Sequence, residues 1–235
     1  MLGRRLRLDH LVLGVPAPLA SSVAAFERLT GVKPVLGGRH EKLGTHNALV
    51  ALDEDGHTYL ELIARDPSQD DKSLPRGAWM GIDSLSGARK PKMLTWAVDR
   101  GSHDDGGGGG GGGGRIQEAV AEARRAGYDP GDPETFSRGD LSWTLAYRHY
   151  SLESMGPGSG IVPFLIDWGD SKSPARSAPR GCELLELRAV ARDTGAVAAG
   201  LRSLGIDGAK DLGLKAGSAD SLVAVLQTPK GVVEV

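Results

Sequence analysis

The chain has 235 residues, a formal net charge of −2, one cysteine, and 40% hydrophobic and 25% charged residues, the composition of a soluble globular protein of one large or two small domains. The near-neutral charge gives no global basic field for nucleic acid, the lone Cys182 excludes an internal disulfide or a cysteine metal cage, and no apolar stretch approaches the roughly 20 residues that span a bilayer. Met1 to Arg7 is basic, but Asp9 and His10 follow too soon for a signal peptide, so a cytoplasmic setting with no nucleic-acid or membrane partner is expected.

In chain order, Leu8–Leu13 predicts a strand that Pro16 and Pro18 break. Leu19, Val23, Phe26 and Thr30 predict a helix, with Ser21 or Ser22 as cap and Gly31 as its end. Ala48–Leu52 and Thr58–Ala64 read as strands around the turn Asp53-Glu54-Asp55-Gly56. After a polar connector, Met93–Val98 repeats the first strand, Ile116–Ala126 repeats the helix and Gly127 ends it. Strands over Leu141–Tyr150 and Ile161–Trp168 follow. A third copy has the strand Leu184–Arg188 and a helix on Val197, Leu201 and Leu204, capped by Asp193 or Thr194 and ended by Gly205. Its last strands, Leu222–Gln227 and Gly231–Val235, flank Thr228-Pro229-Lys230-Gly231.

The reading is an α+β fold built on a repeat: βαβββ over 1–66, a connector over 67–92, βαβββ over 93–169, a connector over 170–181, and a shorter βαββ over 182–235. Strands this apolar need a covered face, so the helices are expected on one side of mainly antiparallel sheets. Glycine stands at 35 residues, about twice the usual 7%. Nine of these form the run Gly106–Gly114, which reads as a flexible insertion. A phosphate loop would need Lys-Ser/Thr after its glycines, and Arg115-Ile116 follows instead.

The chemistry-bearing candidates are few. On strict alternation His10 shares a strand face with Leu8 and Val12, and a histidine aimed into a sheet needs hydrogen-bond partners or a metal. Glu61 alternates with Tyr59 and Ile63. A carboxylate in an apolar strand is either paired, metal-bound or left in water at an edge. His46 and Asn47 are candidates for the polar corner of a pocket or for a plain turn, and Arg148 and His149 for the same concavity. Trp96 and Trp143 read as pocket wall or core, Trp79 and Trp168 have no assignment, and His40 and His57 fall in turn-like stretches expected to be exposed. No Gly-x-Ser-x-Gly elbow or activated Cys/His pair occurs.

Leu8-Asp9-His10-Leu11-Val12, Phe26-Glu27-Arg28-Leu29-Thr30-Gly31-Val32, Gly37-Gly38-Arg39-His40, Gly44-Thr45-His46-Asn47-Ala48-Leu49 and Tyr59-Leu60-Glu61-Leu62-Ile63 resemble the glyoxalase-like domain branch of the vicinal oxygen chelate superfamily. Phe164-Leu165-Ile166-Asp167-Trp168-Gly169 and Thr228-Pro229-Lys230-Gly231 extend the resemblance over nearly the whole chain. It implies curled sheets of paired βαβββ modules around a cavity, with helices outside. It further implies a divalent metal (zinc, nickel, iron or manganese) on His10 and Glu61, with Glu61 also moving protons. In the second copy the matching positions hold Trp96 and Ile166, so a third ligand is wanted, from Glu234, Glu186, His46 or His149.

Three functions stay open on these residues. One is a metal-dependent lyase, isomerase or dioxygenase. Another is a metal-free module that binds or sequesters a small molecule through His46, Asn47, Trp96, Trp143 and Arg148. The third is a structural member with a decayed site. A small-molecule ligand is the expected partner, and a homodimer is left open.

Overall fold

The structure is a computed structural model, and it describes residues 6–40, 43–69, 79–85, 88–99, 115–147 and 160–235. The Gly run, Arg148 and His149 lie outside the described residues, as does the side chain of Trp79. In chain order the elements begin β1 (Arg7–Gly14), α1 (Leu19–Thr30), β2 (Val35–His40), β3 (Thr45–Ala51) and β4 (Tyr59–Arg65). The same order returns as β5 (Lys92–Asp99), α2 (Arg115–Arg125), β6 (Pro133–Arg138), β7 (Leu141–Ala146) and β8 (Phe164–Asp167). The chain ends in β9 (Glu183–Ala191), α3 (Thr194–Ser203), α4 (Gly208–Leu212), β10 (Lys215–Ala216), β11 (Ser221–Thr228) and β12 (Gly231–Glu234).

Eight strands form one sheet in the order β2-β3-β4-β1-β5-β8-β7-β6, and four form a second in the order β10-β9-β11-β12. In each half of the large sheet the first strand pairs parallel with the last, β1 with β4 and β5 with β8, and the halves join through the antiparallel pair β1–β5. The large sheet is curled until its ends meet: Arg138 on the last strand reaches within 3.4 Å of His40 on the first. The fold is thus α+β with a curled, nearly closed, mainly antiparallel sheet.

Two main apolar clusters separate the faces of this sheet. The larger collects Leu11 and Leu13 of β1, Val50 of β3 and Leu62 of β4. It also takes Val23 and Phe26 of α1, Ile116 and Val120 of α2, Leu201 of α3, and Leu222, Ala224 and Leu226 of β11. The α-helices α1 to α4 contribute to this outer cluster, and the second sheet packs over it, so these helices lie on the outer face as the pattern predicts, whereas a 3-10 turn over Trp79–Leu85 packs on the inner side. The smaller cluster, with Val12, Ile63, Phe136, Leu145, Phe164 and Ile166, lies on the inner, concave side.

The expected punctuation is present: Gly31, Gly127 and Gly205 all have positive φ at helix ends. Asp193 caps α3 through Ala196 N–H. Three expectations are corrected. Helix α1 starts after Pro18 with no side-chain cap, and Ser22 Oγ donates instead to Pro16 O. The strands predicted over Leu141–Tyr150 and Ile161–Trp168 are shorter, Leu141–Ala146 and Phe164–Asp167 among the described residues.

The third correction concerns β1. Its register against β5 shifts between Leu8 and His10, so Asp9 is an extra, bulged residue. Leu8 therefore packs with the outer cluster beside Leu11, while His10 and Val12 face inward. Strict alternation put Leu8 with His10 and Asp9 with Leu11, and the bulge breaks that parity.

Candidate functional site

The concave side holds a cavity of about 50 Å³ that opens to solvent, lined by residues of both halves of the large sheet. His10 comes from β1, His40 from β2, Asn47 from β3, and Tyr59 and Glu61 from β4. Arg138 comes from β6, Trp143 from β7 and Ile166 from β8, and Trp168 follows β8. His10, Asn47 and Glu61 are each at most 6% exposed, so their polar atoms need partners within the protein.

Those partners form a connected set. Trp168 Nε1–H donates to Asp9 Oδ2 at 2.9 Å, and Asp9 Oδ1 lies 2.5 Å from His10 Nδ1. A carboxylate that accepts from Nδ1–H leaves the Nε2 lone pair as the exposed end of the ring. His10 Nε2 then faces Glu61 Oε2 at 3.9 Å. The ring is held flat by stacking on Tyr59, with centroids 4.7 Å apart, and by the edge of Phe164 at 5.4 Å. Burial, with Asp9 and Glu61 close by, pushes the Tyr59 phenol well above its usual range.

Glu61 is fixed by Asn47, whose Nδ2 donates to Oε1 at 2.6 Å while its Oδ1 accepts from Gly38 N–H at 2.9 Å. His40 Nε2 lies 4.0 Å from Glu61 Oε1 and 3.4 Å from both Asn47 Nδ2 and Arg138 Nη1. Its other nitrogen lies 2.9 Å from Thr45 Oγ1. Burial lowers the His40 pKa, Glu61 opposes that shift and Arg138 reinforces it, so the ring is a neutral acceptor for the two donors around it.

His10, Glu61, Asn47 and Trp143 thus meet in one cavity. His46 does not join them: it shares the outer face of β3 with Ala48 and Val50, away from Asn47. Trp96 is placed elsewhere too. It lies in the outer core, with Nε1–H donating to Ile161 O at 2.7 Å. The partner of His10 on β5 is Ala97, because the bulge at Asp9 moves the register by one. Ile166 lines the cavity while Asp167 points outward near Arg115, as strand parity predicts.

Five contributors escaped sequence reasoning: Asp9, His40, Tyr59, Arg138 and Trp168. The side chain of His40 is only 12% exposed, and its signal was the Gly37-Gly38-Arg39-His40 segment preceding His46-Asn47. Arg138 had no local signal.

The donor set fits a divalent metal in part. His10 Nε2 and Glu61 Oε2 are close enough to share one ion, since metal–ligand bonds are about 2.0–2.2 Å. Among the described residues, no three His, Cys, Asp or Glu side chains are grouped to hold a metal. Glu186 and Glu234 pair with Arg188 on the second sheet, and His40 Nε2 is faced by N–H donors. Two protein ligands are therefore available, with water or substrate left to complete the shell.

A family model described as a glyoxalase-like domain matches residues 8–205. No curated protein matches the chain. Among solved structures, a hypothetical protein from Staphylococcus aureus is similar with a TM-score of 0.59 and 12% identity, over 97% of this chain and 98% of that one. Methylmalonyl-CoA epimerase from Mycobacterium tuberculosis is more loosely similar, with a TM-score of 0.38 and 16% identity over 68% of this chain and 84% of that one. A Streptomyces coelicolor methylmalonyl-CoA epimerase in complex with 2-nitronate-propionyl-CoA gives a TM-score of 0.41 and 15% identity over 72% and 98%. The chain belongs to the glyoxalase-like domain family.

Proposed function

We propose that this chain binds a small carbonyl compound in the cavity between the two halves of its large sheet and moves a proton on it. His10 is the base and Glu61 its partner. One observation carries the reading: His10 Nε2, backed by Asp9, faces the Glu61 carboxylate at 3.9 Å inside an aromatic-lined cavity. A carbon acid seated against both groups gives a proton to His10 Nε2, and the imidazolium returns a proton to the enolate at the same or a neighbouring atom, which is isomerase-type chemistry. Asp9 orients the ring and stabilises the imidazolium that forms when Nε2 takes the proton. Asn47 holds Glu61 by Oε1 and leaves Oε2 turned to His10.

The test is deuterium uptake from D2O, followed by NMR, into a panel of small ketones, aldehydes and 2-oxo acids. Wild-type protein is expected to exchange the proton next to the carbonyl of at least one of them. His10→Gln and Glu61→Gln, checked for folding by thermal melts, are each expected to slow this by about 10²-fold or more. Exchange of no panel member, or exchange that survives both substitutions, sinks the reading. Saturable binding without exchange leaves the sequestering alternative, in which Asn47 and Trp143 serve as contacts.

One observation favours a second reading. A carboxylate behind a histidine, as Asp9 stands behind His10, is also the arrangement that backs metal-bound imidazoles. In that reading His10 and Glu61 hold a divalent ion, which supplies Lewis-acid polarisation of a substrate oxygen. Metal analysis of tag-free protein beside His10→Ala and Glu61→Gln checks it. An ion present in the wild type and lost in both variants supports it, and equal content in all three overturns it.

A further inference from the structure

We propose that Arg138 anchors the ligand through a carboxylate, so that the ligand is a small carboxylic acid with a flat apolar body. The proposal rests on the reading of the concave cavity as a ligand site.

Arg138 differs from arginines elsewhere in the molecule. Arg7, Arg39, Arg124, Arg188 and Arg192 each have an aspartate or glutamate within ion-pair distance. Arg138 has none among the described residues. Its hydrogen-bond and ring contacts there are two weak ones: Nη1 at 3.4 Å from the neutral His40 ring, and the guanidinium 5.9 Å from the Trp143 ring centroid. A guanidinium carries five N–H donors in a fixed fork. A half-buried one with a single long hydrogen bond keeps most of that capacity unused at the cavity wall.

The chain makes room for this placement. Arg138 leaves the last strand of the curled sheet and crosses over the first. Its Cδ, Nε and Cζ lie about 2.9 Å from where a Cβ on Gly38 would stand. Only the absence of a side chain there lets the guanidinium pass across β2 into the cavity.

The charges inside the cavity narrow the ligand's chemistry. Asp9 is engaged by His10 and Trp168, and Glu61 Oε1 by Asn47. Glu61 leaves a negative wall on one side, and Arg138 provides the cation. A carboxylate pairs with a guanidinium through two parallel hydrogen bonds, each charge-assisted. A phosphate dianion would bring a second negative charge toward Glu61, and among the described lining residues no second arginine or lysine offsets it. The aromatic part of the lining is Trp143, Trp168, Phe164 and Tyr59, walls that suit a flat apolar body.

Phenylacetate and its neutral isostere phenylacetamide are the probes, titrated against tryptophan fluorescence, since Trp143 and Trp168 line the cavity. Wild-type protein is expected to bind phenylacetate at least about tenfold more tightly than the amide. Arg138→Gln is expected to erase that preference by weakening the acid and leaving the amide unchanged, and Arg138→Lys to keep part of it. Should Arg138→Gln fail to fold, added salt on the wild type is expected to weaken the acid and spare the amide. Equal binding of the two probes by the wild type, or a preference that persists in Arg138→Gln, overturns the carboxylate anchor while leaving the cavity reading intact. Binding of neither probe overturns this proposal together with the cavity reading.

Discussion

His40 and Cys182 show how burial, as the largest influence, sets what a reactive side chain can do. Burial pushes the Cys182 thiol up to about 11, with a Thr30 hydrogen bond pulling the other way, so the chain's one cysteine is a thiol rather than a thiolate at neutral pH and poorly suited to nucleophilic work. Burial moves His40 in the opposite direction, since its charged form is the protonated one. The unfolded chain takes up a proton at His40 near the ordinary 6.5, and the folded chain does so only at lower pH. Between those two values the unfolded state binds more protons, so stability falls as the pH drops below about 6.5 and is unaffected by this residue above it. His40→Gln removes that dependence. Thermal melts from about pH 7.5 down to pH 5 are expected to show a steeper loss in wild type than in the variant. Parallel curves would mean that His40 already carries its proton in the fold.

At the scale of strands, the two edges of the large sheet and the bulged centre explain what could and could not be read in advance. Strands β1, β3, β4 and β11 and helices α1 and α3 bury an apolar face, and that periodicity was visible in the sequence. Strand β2 is an exposed edge, with Leu36 70% exposed and two glycines in its middle. Strand β6 is Pro-Glu-Thr-Phe-Ser-Arg with a single buried side chain. Neither carries an apolar alternation, yet they supply His40 and Arg138. His10, Glu61, Asn47 and Trp143 were legible as cavity candidates, and of the two places open to Trp96, wall or core, the structure has the core, while the one-residue bulge at Asp9 that aims His10 inward is invisible to a period of two. A second register shift, between Val12 and Leu13, leaves Leu94 as the extra residue of β5, and Gly160 packs against this point. A Cβ on Gly160 would stand 2.0 Å from Leu94 O, and its φ of +85° already excludes most side chains. Gly160→Ala is therefore expected to destabilise the fold by roughly 2–4 kcal/mol. Denaturant midpoints measure it, and an unchanged midpoint would show that this backbone approach is not required.

For the molecule as a whole, the open question is what closes the curled sheet. Among the described residues its two halves are joined by sheet hydrogen bonds at the centre, through β1 and β5, and the outer cluster with the second sheet braces them from behind. At the far edges, β2 and β6 meet through side chains, with Arg138 lying across Gly38 toward His40. If the braced core holds the halves in place, the crossing arginine shapes the cavity without holding the fold together. Gly38→Ala separates these roles. No positive φ constrains this glycine, and the three atoms nearest to the added methyl all belong to the flexible Arg138 side chain. The variant is expected to keep its stability within about 1 kcal/mol, while Arg138 is displaced from the cavity and the preference for phenylacetate over phenylacetamide falls as it does in Arg138→Gln. A large drop in melting temperature would instead make the β2–β6 seam a structural joint, and retained preference with full stability would show that the guanidinium reaches the cavity by another route.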